Sequence, residues 1–352
     1  MSHHADGGTR TIGVGIIGMG FMGRTHLGAY AAAEGAEVRA IFDPSMRAPT
    51  AGNLITAGDG VDALLASLPR TASVEELLAR SDIELVSICT PTDRHVALVR
   101  AAIAAGKHVL VEKPTALDAR EIDLLAAEAA RAGVLAMPAH CMRFWPAWAW
   151  MADAVRSGTF GAPLRARFRR MGAKPAWSQD FYLDVARSGG ALVDLHIHDA
   201  DFVRFAFGDP DSVEARGTRM HVVARYQYAS GLVVEAEGGW MDDPNFAFTM
   251  TATIELERAT LDFMLGRDAE LIVREHPAGD AARGSGTTPG GASTGRLLRA
   301  GTDYPAGTGY DHEVRALLRA IVSRSPIAPV TLADAAATQR LLDREAAALS
   351  SH

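Results

Sequence analysis

Six residues, Gly18-Met19-Gly20-Phe21-Met22-Gly23, constrain this chain more than any others. They follow an apolar, β-branched run from Ile12 to Ile17 and lead into a helical stretch through Ala33. Each glycine of such a strand-to-helix turn answers a separate need. The first takes the tight turn, the second lets backbone approach a pyrophosphate, and the third lets helix and strand pack closely. The helix N-terminus adds unpaired amide donors that suit an anion. The next apolar run, Glu37 to Phe42, ends in Asp43, about 20 residues beyond the last glycine, where a carboxylate accepts hydrogen bonds from an adenosine ribose. The turn is therefore read as a dinucleotide site (rather than a purely structural glycine turn) made by Gly18, Gly20, Phe21, Met22, Gly23 and Asp43. Asp43 repels a 2′-phosphate and favours NAD, while Ser45 and Arg47 nearby leave NADP open.

The alternation of strand and helix continues. Ser73 to Arg80 opens with Ser73 and, three places on, Glu76, a capping box. Leu85 to Cys89 reads as a buried strand ending in Thr90-Pro91, with a helix from about Asp93 to Ala105. His108 to Val111 is the next strand, and its carboxyl end delivers Glu112, Lys113 and Pro114. Ligands of open α/β sheets bind beyond such strand ends, so an acid and a lysine fixed there by a proline are placed for chemistry. The alternative is a Glu–Lys pair that merely caps the strand. Asp118 to Arg131 is amphipathic through Ile122, Leu125 and Ala129, and Val134 to Met137 is a further strand. Residues 12–137 are thus expected to form a doubly wound parallel sheet, a Rossmann domain in the α/β class.

After Pro138 the texture changes. Trp145, Trp148 and Trp150 cluster, and Trp177 follows in a loop. Alternating runs at Val213–Thr218, His221–Tyr228, Leu232–Trp240, Phe246–Leu256, Thr260–Leu265 and Glu270–Arg274 predict a large, open, mostly antiparallel sheet. The second domain, 138–330, is therefore expected to be α+β. Residues 278–295 are rich in Gly, Ala, Ser and Thr and read as an excursion. Two helices close the chain, Tyr310 to Ser323 and Thr331 to Leu349, and 331–352 is expected to pack back on the Rossmann domain. Residues 1–11 read as a disordered tail with no apolar core of a signal peptide.

Between the two halves runs Ser188-Gly189-Gly190-Ala191-Leu192-Val193-Asp194-Leu195-His196-Ile197-His198-Asp199-Ala200-Asp201. As one helix opened by the glycines and ended near Gly208, it aligns Asp194, His198 and Asp201 on one face. Asp194 then holds the His198 ring by one nitrogen and leaves the other to exchange a proton. A structural Asp–His hydrogen bond is the alternative. His196 and His198 point about 200° apart on a helix, which argues against a shared metal ion, and no metal is expected.

The bulk properties narrow the partners. Among 352 residues, 48% are hydrophobic and 22% charged, and the net charge is -7, so nothing general attracts nucleic acid or an anionic membrane. The basic cluster Arg165, Arg167, Arg169 and Arg170 alternates and reads as the solvated face of a strand. The two cysteines, Cys89 and Cys141, make neither a disulfide framework nor a zinc pattern, which fits a reducing, cytoplasmic setting. No apolar run is long enough to span a bilayer.

Taken together, the motifs resemble the glucose–fructose oxidoreductase and inositol dehydrogenase (Gfo/Idh/MocA) family. The resemblance rests on Gly18 to Gly23, Cys89-Thr90-Pro91 with His95, and Gly106-Lys107-His108-Val109 leading to Glu112-Lys113-Pro114. It extends through His140 with Arg143-Phe144 and Pro146, the Gly-Gly…Asp194…His198 segment, and Tyr310 with Glu313. It implies NAD(P)-linked hydride transfer to or from a secondary alcohol of a sugar, polyol or related small molecule. Lys113, His198 and Asp194 are the implied catalytic residues, and Thr90, Pro91, His95, Glu112 and Lys113 join the cofactor set. His95 is equally suited to helix packing. Arg143, Trp145, Trp177 and Tyr310 are the substrate candidates, though core packing is an alternative for each tryptophan. His196 stands where many members carry a small residue. Two other readings remain: an enzyme that recycles NAD during glycoside cleavage or elimination, and a non-catalytic cofactor-sensing protein. A homodimer or homotetramer is expected, built on an apolar face of the second sheet with Val222, Val234 and Phe248 as candidates; the alternative is that these three face the internal helices.

Overall fold

Ile12–Ile17 (β1) is buried at all six positions, as an inner strand of a sheet covered on both faces must be. In this computed structural model, which describes residues 10–45, 60–175, 179–276 and 295–349, the chain divides into two compact units. The first joins β1 to α1 (Phe21–Ala31), β2 (Ala36–Phe42), α2 (Val61–Ser67), α3 (Val74–Ala79), β3 (Leu85–Ile88), α4 (His95–Ala104), β4 (His108–Glu112), α5 (Ala119–Ala132) and β5 (Ala136–Ala139). Its five strands run parallel in the order β2-β1-β3-β4-β5. The Ser73 hydroxyl accepts the Glu76 amide and caps α3 where expected, while the Glu76 carboxylate reaches one residue further back, to the Ala72 amide.

The second unit holds α6 (Pro146–Arg156), β6 (Pro163–Ala173), α7 (Gln179–Tyr182), α8 (Val185–Ser188), α9 (Ala191–Asp194) and α10 (Ile197–Phe207). It continues with β7 (Ser212–Thr218), β8 (His221–Gln227), β9 (Val233–Met241), β10 (Thr249–Leu256), β11 (Ala259–Met264), β12 (Leu271–Glu275) and β13 (Arg296–Leu298). The sheet order is β13-β12-β11-β10-β6-β9-β8-β7, antiparallel throughout except for β6 against β9. Its core gathers around Trp148, fully buried, whose ring meets Phe202 at 4.7 Å, Phe263 at 5.5 Å and Phe168 at 5.8 Å. This tryptophan is therefore core.

Two helices end the chain, α11 (Gly309–Val322) and α12 (Leu332–Leu349). Residues 310–334 group with the first unit, whereas the chain from Ala335 groups with the second. The last helix thus differs from its expected placement on the Rossmann domain. The Thr338 hydroxyl donates to Asp201 at 3.0 Å, and Glu345 is buried against Tyr226 and His196, and these polar groups draw it to the second unit.

Three sheet residues expected on an open face lie elsewhere. Val222 and Val234 are fully buried, and Phe248 packs on the cluster of Ala191, Leu195 and Trp240. The opposite face carries exposed Arg165, Arg167 and Arg225 with half-buried Arg169, Glu235 and Glu237. Arg170 departs from the solvated cluster: it is buried, with Nε and Nη2 donating to Asp199 at 2.9 and 3.0 Å. Arg47, Trp177, most of the Gly/Ser-rich excursion and most of the N-terminal tail fall outside the described residues. Among those described, no helix is long and apolar enough to cross a membrane.

Candidate active site

The glycine turn shows which of its positions the protein needs and which it leaves to a ligand. Gly18 has φ +92, and a Cβ there would meet the Cys89 carbonyl oxygen at 2.6 Å. A Cβ on Gly23 would lie 1.9 Å from the Gly18 carbonyl oxygen, so α1 packs on the turn at backbone distance. Gly20 is different: a Cβ would meet no protein atom within 4 Å. The protein's own packing makes no demand for glycine there. The first turn of α1 holds no acidic residue and Gly20 caps it without a side chain, leaving amide donors for an anion. A dinucleotide pyrophosphate fits that arrangement. Phe21 and Met22 open α1, both half-buried.

Asp43 lies just past β2 and is tied into the same turn. Its Oδ2 accepts the Met19 amide at 2.6 Å, and its Oδ1 accepts the Ser45 amide at 2.7 Å and hydroxyl at 2.8 Å. The carboxylate thus fixes the loop after β2 against the glycine turn.

At the ends of β3 and β4 a histidine joins two turns. His95 is 1% exposed, with Nδ1 2.8 Å from the Pro114 carbonyl oxygen and Nε2 2.8 Å from that of Thr90. Each ring nitrogen faces a backbone carbonyl, and a neutral ring donates to one of them; burial lowers its pKa against the pull of the two carbonyls. Thr90 is half-buried and Pro91 exposed. Lys113 and Pro114 are joined by a cis peptide bond.

Glu112 is 5% exposed, and its Oε1 lies 3.0 Å from Nε2 of His26, which is fully buried in α1. The other His26 nitrogen lies 2.7 Å from the Ser87 hydroxyl. Burial works against charge on His26, but Cys89 and Glu112 outweigh it and raise its pKa well above the usual value. Burial likewise raises Glu112, and His26 with Lys113 more than reverses this, so the carboxyl is held below its ordinary range. A buried histidine–carboxylate contact therefore underlies the strand end. The sequence reading passed over His26; the available signal was an imidazole three places after the last fingerprint glycine, on a face otherwise fit for apolar packing.

Lysine usage is a second signal passed over. Of 35 basic residues only Lys107, Lys113 and Lys174 are lysine. Lys107 donates to the Arg80 and Ile83 carbonyls at 2.8 Å each, and Lys174 pairs with exposed Asp242. Arginine and lysine are not interchangeable where a compact, titratable ammonium is needed. A chain that otherwise prefers arginine keeps lysine at the end of β4.

In the second unit, Gly189 and Gly190 adopt φ +79 and +72. A Cβ on Gly190 would press on the Arg219 carbonyl oxygen at 2.7 Å, and that oxygen accepts the Leu192 amide at 2.9 Å. The glycines open α9, and the expected single helix is broken further on. α9 ends at Asp194 and α10 starts at Ile197, so the break falls between Asp194 and His198 in the sequence; both residues are half-buried. His196 sits in the break with its ring in the core: Nε2 lies 3.0 Å from Glu345 and 3.2 Å from the Tyr226 hydroxyl. Burial lowers the His196 pKa, yet Glu345 outweighs it and the net direction is up.

Asp201 is committed to interior partners. It is buried and takes a two-pronged bond from Arg143, Nε at 2.8 Å and Nη2 at 2.7 Å, with His140 3.7 Å away. Burial would raise its pKa, but His140, Arg143 and the Thr338 hydroxyl pull it down to about 2. Arg143, a substrate candidate, thereby commits two of its donors to the interior. Trp145 caps α6 half-buried, its ring against Gly309, where a Cβ would meet Cε3 at 3.0 Å. Tyr310 starts α11, half-buried.

Residues 12–140 match the model of an oxidoreductase family with an NAD-binding Rossmann fold, GFO_IDH_MocA, and residues 148–261 match the C-terminal domain model of the same family. The chain is 30% identical to a D-apiose dehydrogenase of Paraburkholderia graminis over 73% of this chain and 66% of that one. It is 40% identical to a 1,5-anhydro-D-fructose reductase of Ensifer adhaerens over 41% of this chain and 43% of the relative. These alignments thus span less than two thirds of either relative. A levoglucosan dehydrogenase in complex with NADH and levoglucosan superposes with a TM-score of 0.79 at 22% identity, covering 97% of this chain and 98% of that one. The chain belongs to the Gfo/Idh/MocA family of oxidoreductases, with the NAD-binding Rossmann fold of that family and NAD(H) as cofactor.

Proposed function

We propose that this protein is an NAD-dependent dehydrogenase that interconverts a secondary alcohol and a ketone on a sugar, polyol or related small molecule. The observation that carries the reading is the Glu112-Lys113-Pro114 turn at the carboxyl end of a parallel strand, in a sheet whose glycine loop fits a dinucleotide. Bound NAD supplies the hydride acceptor. The chain's own residues handle the proton and the developing charge: Lys113 stabilises alkoxide character on the reacting oxygen, and His198 accepts its proton. Asp194 fixes the tautomer of His198. Named relatives are dehydrogenases and reductases of carbohydrate-like compounds, which supports this class over NAD-recycling glycoside cleavage or cofactor sensing. We place the activity in a reducing, cytoplasmic setting, which the low cysteine usage supports. A homo-oligomer built on the outer face of the second sheet belongs to the same proposal.

The test is a screen of sugars, polyols and anhydrosugars with NAD and NADP, read at the reduced-nicotinamide absorbance. On the best compound, Lys113→Ala and His198→Ala should each lower turnover by about 10²–10⁴-fold with NAD affinity retained. A Lys113→Ala protein that turns over normally removes the assignment and leaves the turn as a strand end.

A further inference from the structure

Just past the end of β4 the sheet stops serving the backbone. Glu112 is the last residue of the β4–β5 register, opposite Ala139. The next amide, that of Lys113, is taken up by the Glu112 side chain, whose Oε2 accepts it at 3.2 Å. The same carboxylate meets His26 through Oε1 at 3.0 Å, and His26 meets Ser87 at 2.7 Å. Ser87 and His26 are fully buried and Glu112 nearly so. One relay thus runs from β3 through a ring on α1 to the main chain of Lys113.

Packing alone does not call for this relay. A buried ion pair is often replaceable by apolar residues of similar volume without loss of stability, so stability alone does not account for the histidine and glutamate in this core. The ring also sits on the helix whose N-terminus opens the glycine turn. It ties the cofactor-binding helix to the residue after β4.

We propose that His26 is a positioning residue for Lys113: it holds the Glu112 carboxylate, which in turn holds the Lys113 backbone in register with the reaction. The inference rests on the reading of Lys113 as a residue that meets the reacting oxygen. The groups facing the His26 ring are Tyr30 from its own helix, with ring centroids 6.5 Å apart, Ser87 and Cys89 from the β3 end, and Glu112 from β4. Glutamine places an amide nitrogen where Nε2 stands and keeps the Glu112 bond. Asparagine reaches only the Nδ1 side, toward Ser87.

The experiment uses the whole chain and requires no known substrate for its first arm. Reductive methylation with carbon-13 formaldehyde labels the three lysines, and loss of one signal in Lys113→Arg assigns Lys113. In His26→Phe and His26→Asn the Lys113 signal should move while those of Lys107 and Lys174 stay; in His26→Gln it should keep its native position. The second arm reads turnover on the best compound of the screen. Turnover should fall about 10²-fold in the Phe and Asn variants, the scale of a misplaced reacting group, and recover most of that in the Gln variant. Calorimetry should give NAD affinity within about threefold of the parent. His26→Phe should add nothing to the loss in a Lys113→Ala background. A Lys113 signal that stays put in both the Phe and Asn variants overturns the proposal, as does an undiminished further loss in the double variant. If His26→Phe does not fold, the Asn and Gln variants carry the same comparison. Full turnover by Lys113→Ala would remove the functional reading instead, and the methyl signals would still judge the positioning claim.

Discussion

Asp43 accepts hydrogen bonds from the Met19 amide and from the amide and hydroxyl of Ser45, so it both builds the turn and charges it. Asp43→Ala is therefore expected to weaken NAD binding by about 1.5–3 kcal/mol, the worth of hydrogen bonds to a charged group, and to narrow the gap to NADP. Titration calorimetry with both cofactors checks this, and unchanged NAD affinity would take Asp43 out of the site. Asp201 makes a different prediction, about stability. Its folded pKa of about 2 lies below the usual value of 3.8. A depressed carboxyl stabilises the fold above its unfolded pKa and loses that contribution as pH falls through the folded one, here between about pH 4 and 2. The contribution is on the order of 2 kcal/mol. Urea melts across that window should lose it in the parent and not in Asp201→Asn, which should also be less stable at pH 7 by about 3–5 kcal/mol because Arg143 is left buried without its partner.

Within the β1–α1 unit, two glycines of one motif separate by function. Gly23→Ala forces a methyl into the Gly18 carbonyl and is expected to cost about 1–3 kcal/mol of stability in chemical denaturation. Gly20→Ala meets no protein atom, so its stability should match the parent while NAD affinity falls. Matching NAD affinities in Gly20→Ala and the parent would argue against a close phosphate there. This element was legible because its constraints are local: turn, helix start and strand are read within a few residues. The stretch from 188 to 208 was not, because nothing in Val193 to Phe207 breaks a helix by itself. The interruption is tertiary, at residues 195 and 196, where the His196 ring turns to its core partners Tyr226 and Glu345. Strand alternation likewise gave two faces at Val222 and Val234 without saying which one meets the helices. His26 belongs to the same class, since its meaning depends on Glu112, which lies far along the sequence.

At the scale of the molecule, the two-part order of parallel then antiparallel sheet followed from periodicity, whereas the grouping of the last helix with the second unit depended on Thr338 and Glu345 finding distant partners. The outer face of the second sheet is mixed: Leu297 lies opposite Ile272 near one edge, exposed Met264 follows, and arginines and glutamates occupy the centre. If that face joins copies of the chain, light scattering at micromolar concentration should give a dimer or tetramer mass, and Leu297→Asp should shift it toward the monomer. A monomer mass for the parent protein defeats the proposal. The order of that sheet also bears on how the chain is made. β6 is a central strand, yet it leaves the ribosome before both of its neighbours, β9 and β10. Both of its edges must wait for segments many residues away, the condition under which nascent strands pair with the wrong chain. Arg165, Arg167 and Arg169 along one face of β6 give the waiting strand a like charge on every copy, so polysomes translating this protein carry a built-in repulsion at the segment most exposed to misassembly.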